Sequence, residues 1–304
     1  MEQQHEPSGV LLINKPQGLT SHDVVGRVRR LFNTRRVGHT GTLDPMATGV
    51  LVLLIGRAAK AAEYLSVHDK RYVATLQLGM TTDTEDITGE TLTVCEKIPA
   101  AEKVIAVAEG YRGPYMQTPP MYSALKVNGQ KLLDLARRGI EVAREAREVT
   151  VHALSATATE DARRYTLDVT CSAGTYIRTL CADIGRDLGC GGVMATLCRM
   201  QTGDFTLADC YTLEALDEMD LAAREACLLP IERLFEELAA VSLPAFYEKL
   251  SRSGCEIYQS KIKTSYEIGT RVRLCNENGV FFAIGEVRDY ENGSAIKAIK
   301  TFLL

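Results

Sequence analysis

The chain has 304 residues, with 35 lysines and arginines against 39 aspartates and glutamates, a formal net charge of −4 and a pI near 5.8. Its hydrophobic content of 46% and charged content of 24% are typical of globular proteins and exclude disordered, collagenous and coiled-coil chains. The longest apolar run, 50–55, is far shorter than the roughly 20 residues of a bilayer span. The polar start MEQQHEPSG shows no signal peptide, so we expect a cytoplasmic protein without membrane contact. The length predicts one large domain with an appendage, or two domains.

The nine cysteines do not indicate a metal site, because no pair has C-x2-C or C-x4-C spacing. An odd number of cysteines without a signal peptide is typical of reduced thiols packed in a core. The five histidines are scattered along the chain. We therefore predict no metal.

The first part of the chain alternates buried strands with amphipathic helices, which indicates a mixed α/β domain. Between its first helix and second strand lies a stretch rich in Gly, Thr and His that shows no periodicity. The predicted elements are a strand at 9–14, a helix capped near Thr20 or Ser21, the aperiodic stretch 33–48, a strand at 50–55 and a helix at 57–65.

The middle of the chain begins with a clear alternation of apolar and polar residues at 71–79, which predicts a half-buried strand. Prolines exclude a regular helix at 113–123, and Asn128-Gly129 indicates a turn. The remaining predictions are a polar loop at 80–90, a basic helix at 130–138, paired strands at 149–157 and 164–171, a helix at 176–188 and a strand at 193–200.

Residues 204–240 form an acidic segment, with ten acids against two bases and a net charge of −8. Helices and a linker at 242–244 are expected to end the large domain. The remainder is β-like, with short strands around two Asn-Gly turn signals, and predicts a small β domain suited to binding. Its predicted strands are 271–275, 280–284 and 295–299.

The segment GHTGTLDPMATG at 38–49 is the strongest functional signal in the chain. Pro45 keeps Asp44 out of helical geometry, so this carboxylate should sit on a rigid turn at the edge of a sheet. Such a group could be catalytic, but an ordinary Asp-Pro turn is the more common case, and residue types alone leave both interpretations open. A phosphate-binding loop fits less well, because neither GxxxxGK[ST] nor GxGxxG is present.

A wider set of motifs surrounds this segment. It includes GVLLINKPQG at 9–18, DKRYVATLQLGMTTDTEDITGE at 69–90, MYSALKVNGQKLLDLARRG at 121–139, GTYIRTL at 174–180, and LGCGG and LCRMQTG within 188–203. Together they resemble the bacterial tRNA pseudouridine-55 synthase family of the TruB type. The C-terminal segment is similar to the small β domain that ends this family, a relative of the PUA RNA-binding fold.

The resemblance implies a fold and a division of the chain. The implied fold class is α/β (α+β), with a mixed, largely antiparallel central sheet flanked by helices and a small PUA-like C-terminal β domain. The implied domains are a catalytic domain at 1–241, with an RNA-clasping insertion at about 114–140, and an RNA-binding domain at 242–304.

The resemblance also implies an activity. The family isomerises uridine 55 in the T-stem-loop of tRNA: it breaks the N-glycosidic bond, turns the uracil and rejoins it through C5. The chemistry needs no cofactor. Asp44 aligns with the catalytic aspartate, and covalent attack on the sugar and elimination to a glycal both remain open.

The substrate-binding residues follow from the same alignment. Arg178 pairs with the aspartate. Tyr72 stacks on the uracil and could help to remove the C5 proton, and Tyr176 and Leu197 form further walls of the base pocket. His39 fills the space that the flipped base leaves. Without the resemblance, each would be an ordinary helix, strand or loop side chain.

The charge distribution answers an objection to an RNA partner, since RNA-binding domains usually have a pI above about 9. Residues 15–72 carry a net +6 and residues 249–304 a net +3, and the acidic segment offsets most of this. We predict that the acidic segment lies away from the RNA. The cations assigned to RNA binding are Lys15, Lys126, Lys131, Arg137 and Arg138; a solvated surface is the alternative for those on the insertion.

Two other functions remain open at this stage. One is a non-catalytic tRNA-binding or tRNA-folding chaperone, and the other is a relative that modifies a different RNA. The first would keep the basic insertion without needing Asp44, Tyr72 and Arg178 together. We expect a monomer that needs no protein partner.

Overall fold

The computed structural model describes residues 6–64, 68–127 and 129–302. Within these residues the strands are β1 Gly9–Lys15, β2 Val37–His39, β3 Thr48–Ile55, β4 Lys70–Leu78, β5 Met80–Thr82, β6 Thr91–Val94, β7 Gly113–Gln117, β8 Lys126–Val127, β9 Gln130–Lys131, β10 Arg147–Ala158, β11 Arg164–Cys171, β12 Gly192–Thr202, β13 Phe205–Thr206, β14 Ala239–Leu243, β15 Ile257–Tyr258, β16 Arg271–Asn276, β17 Phe281–Arg288 and β18 Ala295–Thr301. The helices in the same residues are α1 Ser21–Leu31, α2 Ala101–Glu109, α3 Leu132–Ala136, α4 Ile177–Asp187, α5 Leu213–Glu218, α6 Leu221–Ala226, α7 Ala245–Arg252 and α8 Gln259–Ile262. Segments of 3-10 helix lie at Gly56–Tyr64, Leu207–Asp209 and Ile231–Leu234.

One large sheet organises most of the chain before residue 207. Its strand order is β1-β3-β12-β4-β11-β10-β7, with β2 added to β3 and β13 to β12. The contact between β12 and β3 is parallel, and the other pairs in this sheet are antiparallel. Apolar side chains of α1, α2, α4 and α5 share one core with the sheet. The predicted fold class, a mixed and largely antiparallel sheet with helices, is confirmed.

Local sequence patterns explain the main elements. In β4 every second residue from Tyr72 to Leu78 is buried, as its alternation predicted. In α1, Thr20 accepts the Asp23 N–H at 3.0 Å, while the Asp23 carboxylate accepts the Thr20 N–H at 2.9 Å. This reciprocal capping box fixes the start of the helix where the sequence placed it.

A second sheet forms the C-terminal part, with the order β14-β16-β17-β18-β15. It packs on the β1–β3 end of the large sheet through a shared apolar cluster that includes the rings of Phe235, Phe281 and Phe302. The predicted linker at 242–244 is wrong, because Ala239–Leu243 is a strand parallel to β16 and Pro244 caps α7. Val241 and Leu243 alternate into the small core, a pattern too short to stand out in the sequence. The proposed division after residue 241 stays a prediction.

The shortest elements are those that differ from the sequence prediction. The polar loop 80–90 begins with β5, which pairs with β6, and the aperiodic stretch contains β2. The predicted basic helix at 130–138 is shorter, Leu132–Ala136, because residues 130–131 form a strand. Two or three strand residues are too few to show a period. Leu65 of the predicted helix and Asn128 of the predicted turn lie outside the described residues.

In the part of the chain that the structure describes, no helix is both long and apolar enough to cross a membrane.

Candidate active site

Asp44 stands on a turn that is anchored on both sides. Before it, the Leu43 N–H donates to the buried Ser21 hydroxyl at 2.8 Å, and that hydroxyl donates to the Leu43 carbonyl at 3.1 Å. After it, the Pro45 carbonyl accepts the Gly18 N–H at 2.8 Å. The Asp44 side chain is nevertheless 35% exposed, so a rigidly held carboxylate faces outward.

Arg178, in the first turn of α4, contacts this carboxylate directly. Its Nε lies 2.9 Å from Asp44 Oδ2, and its Nη2 donates to Asp44 Oδ1 at 3.5 Å. The Arg178 side chain is only 6% exposed. A charge-assisted pair with so little solvent around the cation holds the carboxylate in one direction.

The other guanidinium donors of Arg178 reach two more segments. Nη1 donates to the Thr84 carbonyl at 2.9 Å, and Nη2 donates to the Tyr122 carbonyl at 2.7 Å. The buried Asp86 lies 4.0 Å from Nη1. Arg178 therefore ties Asp44 to the 80–90 segment and to the predicted insertion. Asp86 was missed because its motif was interpreted as a polar loop; its only signal was the dense TDTED pattern.

Tyr72 and Leu197 lie on adjacent strands. In the β4–β12 register Tyr72 is opposite Arg199, and Leu197 is opposite Ala74. Burial raises the pKa of Tyr72, although the Arg199 charge offsets part of this effect, so the phenol is protonated at neutral pH. Both predicted pocket residues are buried in the same core cluster.

Arg199 is a fully buried cation that the sequence interpretation did not single out. Its Nε donates to the Val50 carbonyl at 2.7 Å, and its Nη2 donates to the Gly41 carbonyl at 3.1 Å. It thereby fastens the glycine-rich segment before Asp44 to β3. An arginine inside a predicted strand was the only signal.

Tyr176 is the N-cap residue of α4, two positions before Arg178. It is half-buried, and burial raises its pKa. Its main chain bonds to the Gln117 side chain at the end of β7. The helix start therefore brings Tyr176 and Arg178 to the same end of α4.

His39 is the last residue of β2 and pairs with Leu53 of β3. Its Nδ1 is buried without a hydrogen-bond partner. Burial lowers the pKa of His39, with the Arg199 charge acting in the same direction, so the imidazole is neutral at pH 7. A neutral ring with a spare polar atom suits contact with a base better than contact with a phosphate.

Lys15 corrects the sequence interpretation. It is 0% exposed, and its Nζ donates to the carbonyls of Pro16, Leu19 and Pro45 at 2.8, 2.6 and 3.3 Å. Burial lowers its pKa to about 8, against the opposing effect of Asp44. A direct phosphate contact does not fit this buried ammonium, which instead braces the turn that carries Asp44.

The insertion presents the remaining predicted cations at the surface. Leu132 and Leu135 of α3 are buried, which orients the short helix. Among the described residues none of these basic side chains has a carboxylate partner, and all are exposed: Lys126, Lys131, Arg137 and Arg138. They are therefore free to contact an anionic ligand.

The acidic segment pairs with bases elsewhere in the chain. Asp217 contacts Arg27 of α1, and Glu214 lies 3.7 Å from the same guanidinium. Glu232 pairs with Arg273 of the small sheet at 2.6 Å. Part of the negative charge of the acidic segment is therefore neutralised by bases of the protein itself.

Within residues 6–64, 68–127 and 129–302, no three His, Cys, Asp or Glu side chains are grouped as metal ligands.

Two family models match the chain. Residues 29–177 match the TruB family pseudouridylate synthase N-terminal domain, and residues 178–236 match the tRNA pseudouridylate synthase B C-terminal domain. Together they cover more than half of the chain. The two models meet at Arg178 in α4, between strands β11 and β12 of the large sheet. Strands β14 to β18 fall outside both models.

Similar proteins match over nearly their whole length. The chain is 39% identical to tRNA pseudouridine synthase B of Clostridium kluyveri, over 97% of this chain and 99% of that protein. It is 42% identical to tRNA pseudouridine synthase B of Alkaliphilus oremlandii, over 96% and 98%. Among solved structures, a chain in a Cbf5-Nop10-Gar1 complex superposes with a TM-score of 0.73 at 26% identity, covering 97% of this chain and 85% of that one.

Proposed function

Because the chain belongs to the TruB family of pseudouridine synthases, we propose that it isomerises the uridine at position 55 of the tRNA T-stem-loop, with Asp44 as the catalytic residue. Conversion of uridine to pseudouridine in tRNA is the activity of this enzyme family, and the chain is an isomerase of this kind. The observation that carries the assignment to Asp44 is its 2.9 Å contact with the buried Arg178.

The reaction needs a carboxylate beside the ribose. It is an isomerisation, so the composition of the nucleotide does not change. The C1′–N1 bond breaks, the uracil turns, the C1′–C5 bond forms, C5 loses its proton and N1 gains one. Asp44 can attack C1′ or can assist elimination to a glycal, and both routes use the same exposed carboxylate. Arg178 orients that carboxylate in either route.

The pocket walls support a stacking role for the two tyrosines. The Tyr72 ring offers uracil a flat surface for stacking, and burial raises the pKa of its phenol further above neutral pH. Tyr176 adds a second ring at the start of α4, and Leu197 adds an apolar wall beside Tyr72. Their roles as uracil contacts are those that the family resemblance implies, and this arrangement is compatible with them.

Access to the uridine requires it to leave its stack. We assign the neutral His39 ring to the vacated space and the four exposed insertion cations to the RNA backbone, where such contacts position the substrate without reading sequence. We assign further RNA contacts to the small C-terminal sheet, whose sequence is similar to the PUA-like domain that ends this family.

We also propose that the protein acts on tRNA as a monomer in the cytoplasm. Size-exclusion chromatography with light scattering, with and without tRNA, checks the oligomeric state.

Substitution of Asp44 by Asn tests the function. We expect loss of tritium release from tRNA labelled with 5-³H-uridine, because an amide neither attacks C1′ nor stabilises positive charge on the sugar, while tRNA binding persists. Asp168→Asn is the matched control, because it also weakens an Asp–Arg pair, with Arg71 at 2.6 Å, but on the exposed sheet surface.

Three outcomes would contradict the proposal. Turnover by Asp44→Asn at the parental rate would exclude a catalytic role for the aspartate. Pseudouridine mapped outside position 55 would indicate another RNA target. Binding without any release by the parent protein would favour the non-catalytic chaperone.

A further inference from the structure

Gln117 is a buried amide that the proposed chemistry does not use. It is the last residue of β7, near the start of the predicted insertion, and it is 1% exposed. Its main chain pairs with Arg147 of β10, so the strand ladder fixes where its side chain begins. A side-chain amide this deeply buried must have partners for its polar atoms.

Its partners are the main-chain groups of Tyr176. The Tyr176 N–H donates to Gln117 Oε1 at 2.8 Å, and Gln117 Nε2 donates to the Tyr176 carbonyl at 3.0 Å. Nε2 also contacts the Tyr115 hydroxyl. The amide thus bonds to both polar groups of one residue, as a neighbouring strand residue would.

This contact occurs where α4 has no other cap. The N-cap residue is a tyrosine with extended dihedrals, φ −98° and ψ 111°, and its side chain makes no capping bond. A helix start with buried main-chain groups needs partners from elsewhere. Gln117 accepts the N–H of Tyr176, the first of these donors, and adds a second donor to the Tyr176 carbonyl, which also accepts the Leu180 N–H at 3.0 Å.

We propose that Gln117 is a positioning residue that sets the start of α4, and through it the placement of Tyr176 against uracil and of Arg178 against Asp44. The inference rests on the proposed roles of those three residues. Gln117 touches no reacting atom, so it acts only through the backbone of Tyr176. Its removal should lower kcat more than it raises KM, because the misplacement affects the reacting groups rather than the RNA surface.

Substitution by Glu gives a test that a purely structural role would not pass. A protonated Glu keeps one donor and one acceptor, so it reproduces both bonds to Tyr176. An ionised Glu has only acceptors, and one of its oxygens would face the Tyr176 carbonyl. The kcat of Gln117→Glu, divided by that of the parent, should therefore be near one at low pH and fall as pH rises.

Other groups near Gln117 also titrate, so the kcat of the variant has to be divided by the kcat of the parent at each pH. Tyr111 and Tyr115 lie on one side with Asp183 of α4, while Arg147, Arg178 and Asp44 surround Tyr176. These groups are present in both proteins, so their titration largely cancels in the ratio. Burial disfavours the ionised form of the introduced Glu, so we expect the fall between about pH 5 and 8.

The experiment measures the initial rate of tritium release from 5-³H-uridine tRNA over a range of tRNA concentrations between pH 5.5 and 8.5, which gives kcat and KM at each pH, with the folded fraction checked by circular dichroism. At pH 8 the loss of kcat in Gln117→Glu should be about tenfold or more. Gln117→Met, which makes neither bond, should be impaired at every pH. The matched control Gln77→Glu changes a half-buried glutamine of β4 and should follow the parent.

The results separate this inference from the proposed function. A parent protein that releases no tritium would refute the function itself. An active parent with a pH-independent Gln117→Glu ratio, or with a changed KM and unchanged kcat, would overturn the positioning role. If Gln117→Met does not fold, the pH series of Gln117→Glu still decides.

Discussion

Replacement of Arg178 by Lys tests whether the geometry around Asp44, rather than positive charge alone, supports catalysis. The guanidinium bonds in three directions, with Nε to Asp44 and its terminal nitrogens to the carbonyls of Thr84 and Tyr122. A lysine places one ammonium on a flexible stem and cannot reach all three groups at once. The substitution therefore keeps the positive charge but loses the forked arrangement of N–H donors of the guanidinium.

The expected magnitude follows from the burial of this arginine. Its side chain is 6% exposed, so carbonyls left without a donor lack full access to water. Each lost bond to a charged donor costs about 1.5–3 kcal/mol, and we expect two of the three to be lost. If half of that total falls on the orientation of Asp44, the barrier rises by about 1.5–3 kcal/mol, which corresponds to a roughly 10- to 150-fold lower rate.

The assay is single-turnover tritium release at saturating enzyme, with tRNA affinity measured separately by filter binding. Arg186→Lys is the matched control, because Arg186 lies on the same helix and pairs with Asp183 but has a 69% exposed side chain. We expect that control to remain within about threefold of the parent, since exposed pairs contribute about 0–1 kcal/mol. An Arg178→Lys rate equal to the control's would refute the argument from the fork.

The remaining predictions concern stability near the same turn. Because the pKa of Lys15 falls to about 8 in the folded state from 10.5, the unfolded chain binds more protons between these values, and folding gains stability as pH rises through them. In urea titrations, the stability of the parent relative to Lys15→Met should therefore rise by about 2–3 kcal/mol from pH 7 to pH 10, and a pH-independent difference would contradict this. Gly49→Ala should destabilise the protein by about 2–4 kcal/mol, because Gly49 has φ +102° and a Cβ there would meet the Arg199 carbonyl oxygen at 2.2 Å. Gly18→Ala, at φ +90° with open space around it, should cost only about 1 kcal/mol, and equal losses of melting temperature would remove the steric explanation.

Patterns within short stretches predicted much of the fold. The alternation in β4 and the Thr20–Asp23 capping box depend on neighbours in sequence, and the structure has both where they were expected. The pairing of β10 with β11 also followed from two adjacent strands. The strand Ala239–Leu243 was taken for a linker because its partner β16 lies about thirty residues further along the chain.

The candidate site was predictable only in part. The rigid Asp-Pro turn could be inferred from residue types, but the contact between Asp44 and Arg178 joins positions 134 apart and came from the resemblance alone. Buried polar residues were the hardest to predict. Nothing in the sequence marks Gln117 as buried, and Arg199 is marked only by its position inside a predicted strand, since the environment of both is set by strands that pair from distant parts of the chain.

The burial of cations changes how the charge of this protein bears on RNA binding. The stretch 15–72 has a net charge of +6, but Lys15 and Lys70 are buried and Arg27 is paired with Asp217 of the acidic segment. The two buried ammonium groups contribute to the field but cannot touch a phosphate, and the Arg27 guanidinium is already paired with carboxylates. Contact must therefore depend on exposed bases, such as the four between 126 and 138, which have no carboxylate partner among the described residues. A protein with a net charge of −4 can thus bind RNA through exposed cations such as these, because part of its acidic charge is already paired with bases of the protein, as in Asp217 with Arg27 and Glu232 with Arg273.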